Sequence, residues 1–125
     1  MAIAIVSVSH VNVTVPASLE AAAKHFYEGV LGLAQIPKPE GTRQNMGAWY
    51  QLVGMQLHLS IEDNVQNEVS DRHVCYQVAD IAAANLEFRN AGVEIIPDPR
   101  PVSGQSRFFV RDPGGNLLEI TQRLE

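Results

Sequence analysis

Cysteine is nearly absent from this 125-residue sequence. Cys75 stands alone, which excludes an intrachain disulfide and any metal site built on several thiolates. No apolar run approaches the ~20 residues that a membrane-crossing helix needs. Basic residues are few, nine Lys and Arg against fourteen Asp and Glu, and they form no cluster. The net charge of −5 therefore argues against nucleic acid and anionic membranes as partners. The opening stretch Met1-Ala2-Ile3-Ala4-Ile5 lacks the basic start of a signal peptide, so the sequence reads as that of a cytoplasmic protein. What is present is ordinary for one globular domain: 46% hydrophobic and 18% charged residues. Any metal site would have to be built from carboxylates and the four histidines.

The chain repeats itself. His10-Val11-Asn12-Val13-Thr14-Val15-Pro16 and His73-Val74-Cys75-Tyr76-Gln77-Val78-Ala79 are both alternating strands that begin with His. An Ala-rich amphipathic helix follows each, over Ser18 to Val30 and over Ile81 to Ala91. Leu19, Ala22, Ala23, Phe26, Tyr27 and Val30 recur at helical spacing, and Leu86 and Phe88 contribute an apolar face to the second helix. Ser18 and Asp80 stand where helices begin. Each helix stops at a glycine before a short strand that ends at Ile36-Pro37 or Ile96-Pro97. Two more strands follow in each half: Trp49 to Val53 and Gln56 to Ile61, then Arg107 to Arg111 and Leu117 to Gln122. The turn Asp112-Pro113-Gly114-Gly115-Asn116 joins the last two. The reading is an α+β domain of two tandem βαβββ modules, at residues 5–61 and 72–123, with a polar linker at 62–71.

Successive strand side chains point to opposite faces. Val11, Val13 and Val15 share one face, as do Leu57, Leu59 and Ile61, then Val74, Tyr76 and Val78, then Leu118 and Ile120. The opposite face holds His10, Asn12 and Thr14, then Gln56, His58 and Ser60, then His73, Cys75 and Gln77, then Leu117, Glu119 and Thr121. A solvated face would be rich in Lys, Arg and Glu. This one carries three of the four histidines with Asn, Gln, Cys and one Glu, which are good ligands. Each half offers one such residue from its first strand and one from its last. Two halves related by a pseudo-twofold would bring His10, His58, His73 and Glu119 to one point. His25, on the first helix beside Lys24, reads as a surface residue.

These segments, together with Phe26-Tyr27, Val30-Leu31-Gly32-Leu33 and Arg111-Asp112-Pro113-Gly114-Gly115-Asn116-Leu117-Leu118-Glu119, resemble the vicinal oxygen chelate superfamily. That group includes glyoxalases, bleomycin-resistance proteins and extradiol dioxygenases. The resemblance spans essentially the whole chain. It implies a curved mixed sheet around a cleft, and a divalent ion held there by His10, His58, His73 and Glu119. Imidazole and carboxylate ligands suit Zn, Ni, Co, Mn or Fe. In glyoxalase I the position matching His58 is a Glu. With His there, the site keeps one net positive charge and a single carboxylate, so Glu119 is both ligand and candidate base. The implied reaction is that of a glyoxalase-like lyase or isomerase on a small oxygenated substrate, through a metal-stabilised enediolate.

Rival readings within the resemblance are a metal-independent drug-binding protein, an Fe-dependent dioxygenase using His10, His73 and Glu119, and a thiol transferase. The last would want a phosphonate site, for which only Ser103, Ser106 and Arg107 offer themselves. Asn12, Trp49, Gln51, Cys75, Arg107, Phe109 and Arg111 are the candidate pocket residues, and an arginine near the metal would suit an anionic substrate. Family members often pair as homodimers, with module one of one chain facing module two of the other. The sequence leaves open whether His10 and His58 meet His73 and Glu119 within one chain or across two.

Overall fold

The computed structural model describes residues 2–101 and 104–123, so Ser103 lies outside the described residues. The first module runs β1 (His10–Val15), α1 (Glu20–His25), β2 (Ala34–Ile36), β3 (Ala48–Leu52) and β4 (Met55–Ile61). The second runs β5 (His73–Gln77), α2 (Ile81–Asn90), β6 (Ile96–Pro97), β7 (Gln105–Arg111) and β8 (Leu117–Arg123). Each module forms a four-stranded mixed sheet. The strand orders are β1-β4-β3-β2 and β5-β8-β7-β6, so the repeat seen in sequence is a repeat in space. In both, the first strand lies parallel to the last and the other pairings are antiparallel.

The alternation decides which face is buried. Val15, Leu57, Leu59, Leu118 and Ile120 are at most 2% exposed. Each such side chain contributes roughly 1.5–3 kcal/mol by leaving water. Tyr27 stacks on Tyr50 of the first sheet at 6.1 Å, and Phe26 and Phe88 belong to the same buried cluster. Phe26 stacks on Phe88 at 6.3 Å between centroids, and Phe88 meets Phe108 edge-on at 5.9 Å, so one aromatic run joins the two modules.

The helices differ from expectation at three points. The segment 17–30 is not one α-helix: a 3₁₀ turn at Ala17–Leu19 leads into α1, which widens into a π turn over Phe26–Val30, with Leu31 N donating to Phe26 O at 2.9 Å. The wider turn carries the consecutive residues Phe26 and Tyr27 both into the core. Ser18 caps nothing, whereas Asp80 accepts a hydrogen bond from Ala83 N and caps α2. Leu86 is 48% exposed and does not share the face of buried Phe88, because residues two apart on a helix point to nearly opposite sides.

The segment 62–71 does more than span. Within it, Asn67 is buried, and its Nδ2 donates to Thr14 O at 2.9 Å and Gly114 O at 3.2 Å. Asn116 Nδ2 donates to the same Thr14 carbonyl at 2.9 Å. These amides satisfy a backbone acceptor on the free edge of β1. The Asp112 turn is bonded as densely. Its Oδ1 accepts from Gly114 N and Asn116 N, both at 2.9 Å, and its Oδ2 accepts from the Tyr27 hydroxyl at 2.6 Å. That last bond crosses from module one to module two.

Candidate metal centre

Pairing β1 with β4 in parallel puts His10 opposite Gln56 and Asn12 opposite His58. His10 and His58 lie on the same face, and their rings stack at 4.0 Å with 14° between planes. β3 adds a third ring: Trp49 pairs with His58 and stacks on it at 3.9 Å and 5°. His58 is thus held from both sides and is only 7% exposed. Burial, with His10 and Lys38 nearby, holds its pKa below the usual imidazole value, so it stays neutral near pH 7. Gln56 Oε1 lies 2.9 Å from His58 Nε2. A carboxamide oxygen only accepts, which places the proton on Nε2 and the lone pair on Nδ1. His10 Nδ1 lies 3.1 Å from Ser9 Oγ.

The second module builds a matching pair. His73 Nδ1 lies 2.8 Å from the Asp71 carbonyl, which fixes a proton on Nδ1. His73 Nε2 then faces Glu119 Oε1 at 3.2 Å. Glu119 is 8% exposed, and Arg107 Nη1 stands 3.6 Å from its other oxygen. Phe109 meets the His73 ring edge-on at 6.0 Å, and the Arg107 guanidinium lies 5.5 Å from the Phe109 centroid. Cys75 pairs with Glu119 across β5 and β8. Partial desolvation and the Glu119 carboxylate push its thiol up to about 11, so it is protonated and inert at neutral pH.

Four of the candidate residues thus gather as two pairs. His10 and His58 carry Trp49 with them, and His73 and Glu119 carry Cys75, Arg107 and Phe109. Among the described residues, no three His, Cys, Asp or Glu side chains come together as one metal-binding group. Other candidates are engaged elsewhere. Asn12 Oδ1 accepts from Ser60 Oγ at 2.7 Å. Gln51 donates to Leu52 O and Met55 O in the β3–β4 turn. Arg111 Nη1 donates to the carbonyls of Asn67, Ser70 and Gly115 and so holds the linker. Arg107 is bonded through Nε to Asp98 Oδ2 at 2.7 Å, and that bond keeps the Asp98 carboxyl below its usual range.

Sequence reasoning missed several residues that orient these pairs: Gln56 on His58, Asp71 on His73 and Asp98 on Arg107. Only Gln56 carried a signal, its place on the ligand face. A cavity of about 410 Å³ opens between β1 and β5, lined by Asn12, Thr14, His73, Tyr76 and Asn116 among others. Among the described residues no helix is long and apolar enough to cross a membrane.

The comparisons with known proteins agree with this architecture. A glyoxalase-family protein from Bacillus anthracis superposes with a TM-score of 0.85 at 31% identity, covering 98% of this chain and 99% of that one. The genomically encoded fosfomycin resistance protein of Listeria monocytogenes shares the fold at 17% identity, with a TM-score of 0.77 over 94% of this chain and 91% of its own. So does a lactoylglutathione lyase from Agrobacterium tumefaciens, at 18% identity and a TM-score of 0.71 over 93% and 92%. No curated protein matches the sequence. Residues 7–120 match the family as a whole, and the chain belongs to the Glyoxalase/Bleomycin resistance protein/Dioxygenase superfamily.

Proposed function

We propose that this protein is a metal-dependent, glyoxalase-like lyase or isomerase acting on a small oxygenated substrate, with a centre completed by two copies of the chain. The observation that carries the reading is the contact between His73 and Glu119. With a single proton, on Nδ1, His73 would turn the Nε2 lone pair toward a carboxylate oxygen 3.2 Å away. Two acceptors at that distance need a cation between them or beside them, either a proton or a metal ion. A backbone carbonyl that fixes the tautomer of a ligating histidine is the usual support of such a site. His10 and neutral His58 form a second pair of donors suited to the same ion.

A divalent cation of the Zn, Ni, Co, Mn or Fe kind, held by His10, His58, His73 and Glu119, supplies Lewis-acid polarisation of a substrate carbonyl. The chain's own part is proton transfer and orientation. Glu119 is the one carboxylate in the set. With Oε1 turned to His73, its Oε2 is the atom offered to accept a proton from the substrate carbon. Arg107, fixed by Asp98, lies beside that oxygen and orients it. The separation of the two donor pairs favours a homodimer in which each pair meets its complement on the other copy.

Elemental analysis of protein purified without chelator tests the reading, with His73→Ala as the comparison. The expected result is near-stoichiometric metal in the parent and its loss in the variant. Parent protein that holds no metal and takes none up on titration would overturn it, in favour of a small-molecule-binding protein with this fold.

A further inference from the structure

The loop 37–47 between β2 and β3 is folded tightly on itself and forms one wall of a cavity of about 380 Å³. The cavity is lined by Lys38, Thr42, Arg43, Met46, Trp49 and His58, with Ser60 and Ile61. Lys38 is half-buried, and its ammonium donates to the carbonyls of Arg43, at 2.7 Å, and of Met46. Gln44 Nε2 donates to Pro39 O at 2.8 Å, and Thr42 Oγ1 donates to the same carbonyl at 2.7 Å. Gly47 anchors the end of the loop: its N–H donates to Glu20 Oε2 at 2.9 Å.

Two cations therefore stand in one preformed wall. Among the described residues, no carboxylate lies within salt-bridge distance of Lys38 or Arg43. Glu20, whose carboxyl feels Lys38 at longer range, is itself bonded to Lys24 at 3.0 Å. An ammonium has three donors, and the loop carbonyls take two of them. Two arginines of the other module that were candidate pocket residues are spent differently, Arg107 on Asp98 and Arg111 on backbone carbonyls. On a chain of net charge −5, an uncompensated pair of cations in a cavity of ligand size is a place for an anion.

We propose that this cavity binds the anionic end of the ligand, an organic carboxylate, phosphate or phosphonate, with Lys38 and Arg43 as its cationic partners. Trp49 and the edge of His58, whose two faces are covered by Trp49 and His10, also line the cavity and seat the carbon skeleton next to the His10–His58 pair. The proposal names the substrate class of the site proposed above, and it rests on that reading only for what adjoins the cavity. Charge is attracted by Lys38 and Arg43 whether or not a metal is bound.

Trp49 is the single tryptophan of the chain, so its fluorescence reports the cavity directly. The experiment titrates inorganic phosphate, and separately sodium acetate, into metal-stripped protein at constant ionic strength, with sodium chloride as the control. The expected result is a saturable change with at least one of the two oxyanions, and the tighter one tells tetrahedral from planar anion. Arg43→Gln, whose side chain makes no hydrogen bond among the described residues, should weaken that binding by at least about tenfold. Lys38→Met should do the same, with a thermal melt to confirm that the loop's ties do not decide folding. No saturable change, a chloride response equal to both oxyanions, or an Arg43→Gln curve matching the parent would overturn the proposal. Zinc uptake is measured on the same preparation. Zinc bound without an oxyanion site overturns this proposal alone, and an oxyanion site without zinc overturns the metal reading alone.

Discussion

Glu119 is the residue on which the proposed chemistry converges. His73 Nε2 faces one of its oxygens at 3.2 Å, Arg107 Nη1 stands 3.6 Å from the other, and the Cys75 thiol lies beside it. Glu119→Gln keeps the shape and removes the charge, so its effects can be read in two places. Turnover should fall about 10²–10⁴-fold, the usual contribution of a positioned general base. The Cys75 thiol should change as well. Desolvation and the adjacent carboxylate hold it near 11, and only the thiolate is alkylated. In the parent, alkylation by iodoacetamide should be slow at pH 7 and keep rising beyond pH 10. In Glu119→Gln that profile should shift to lower pH, because one of the two groups disfavouring the thiolate is gone. An unmoved profile with intact turnover would remove Glu119 from both roles.

At the scale of elements, the loop 37–47 depends on its last residue. Gly47 has φ of +70°, and a Cβ there would lie 2.0 Å from the Leu59 carbonyl oxygen. Gly47→Ala therefore combines backbone strain with a collision against β4. It should destabilise the fold by at least about 1–3 kcal/mol, read as a lower urea midpoint. A variant as stable as the parent would mean that the loop is not seated on β4. This loop also marks the limit of what the sequence made legible. The strands were readable because Val11, Val13 and Val15, or Val74 and Tyr76, alternate with polar residues. A period of two needs no knowledge of the partner strand. Asp80 was readable as a cap because capping is local. Lys38 was not, since its partners are carbonyls supplied by a loop without periodicity. Nor was the role of Asn67, whose amide reaches Thr14 and Gly114, distant in sequence. The π turn at Phe26–Val30 escaped for a similar reason: the core, not propensity, asks for both Phe26 and Tyr27 inside.

At the scale of the whole molecule, the repeat explains both what was foreseen and what was left open. Identical strand orders give each module one candidate donor on its first strand and one on its last. Which modules face each other is a matter of packing that no repeat specifies. Along the chain, β1 and β5 border a shared cavity, Tyr27 bonds Asp112, and the phenylalanines join the cores. The candidate donors nevertheless gather as two twos, His10 with His58 and His73 with Glu119. A centre completed by a second copy accounts for that separation. The most direct test is metal binding by a mixture. His10→Ala and His73→Ala are unfolded together, refolded together and titrated with zinc by calorimetry, beside each variant alone. The account predicts no tight site in either variant and the return of a fraction of tight sites in the mixture, because a mixed dimer holds one intact His10–His58 pair facing one intact His73–Glu119 pair. Tight binding that persists in either variant alone, or none recovered on mixing, would contradict it.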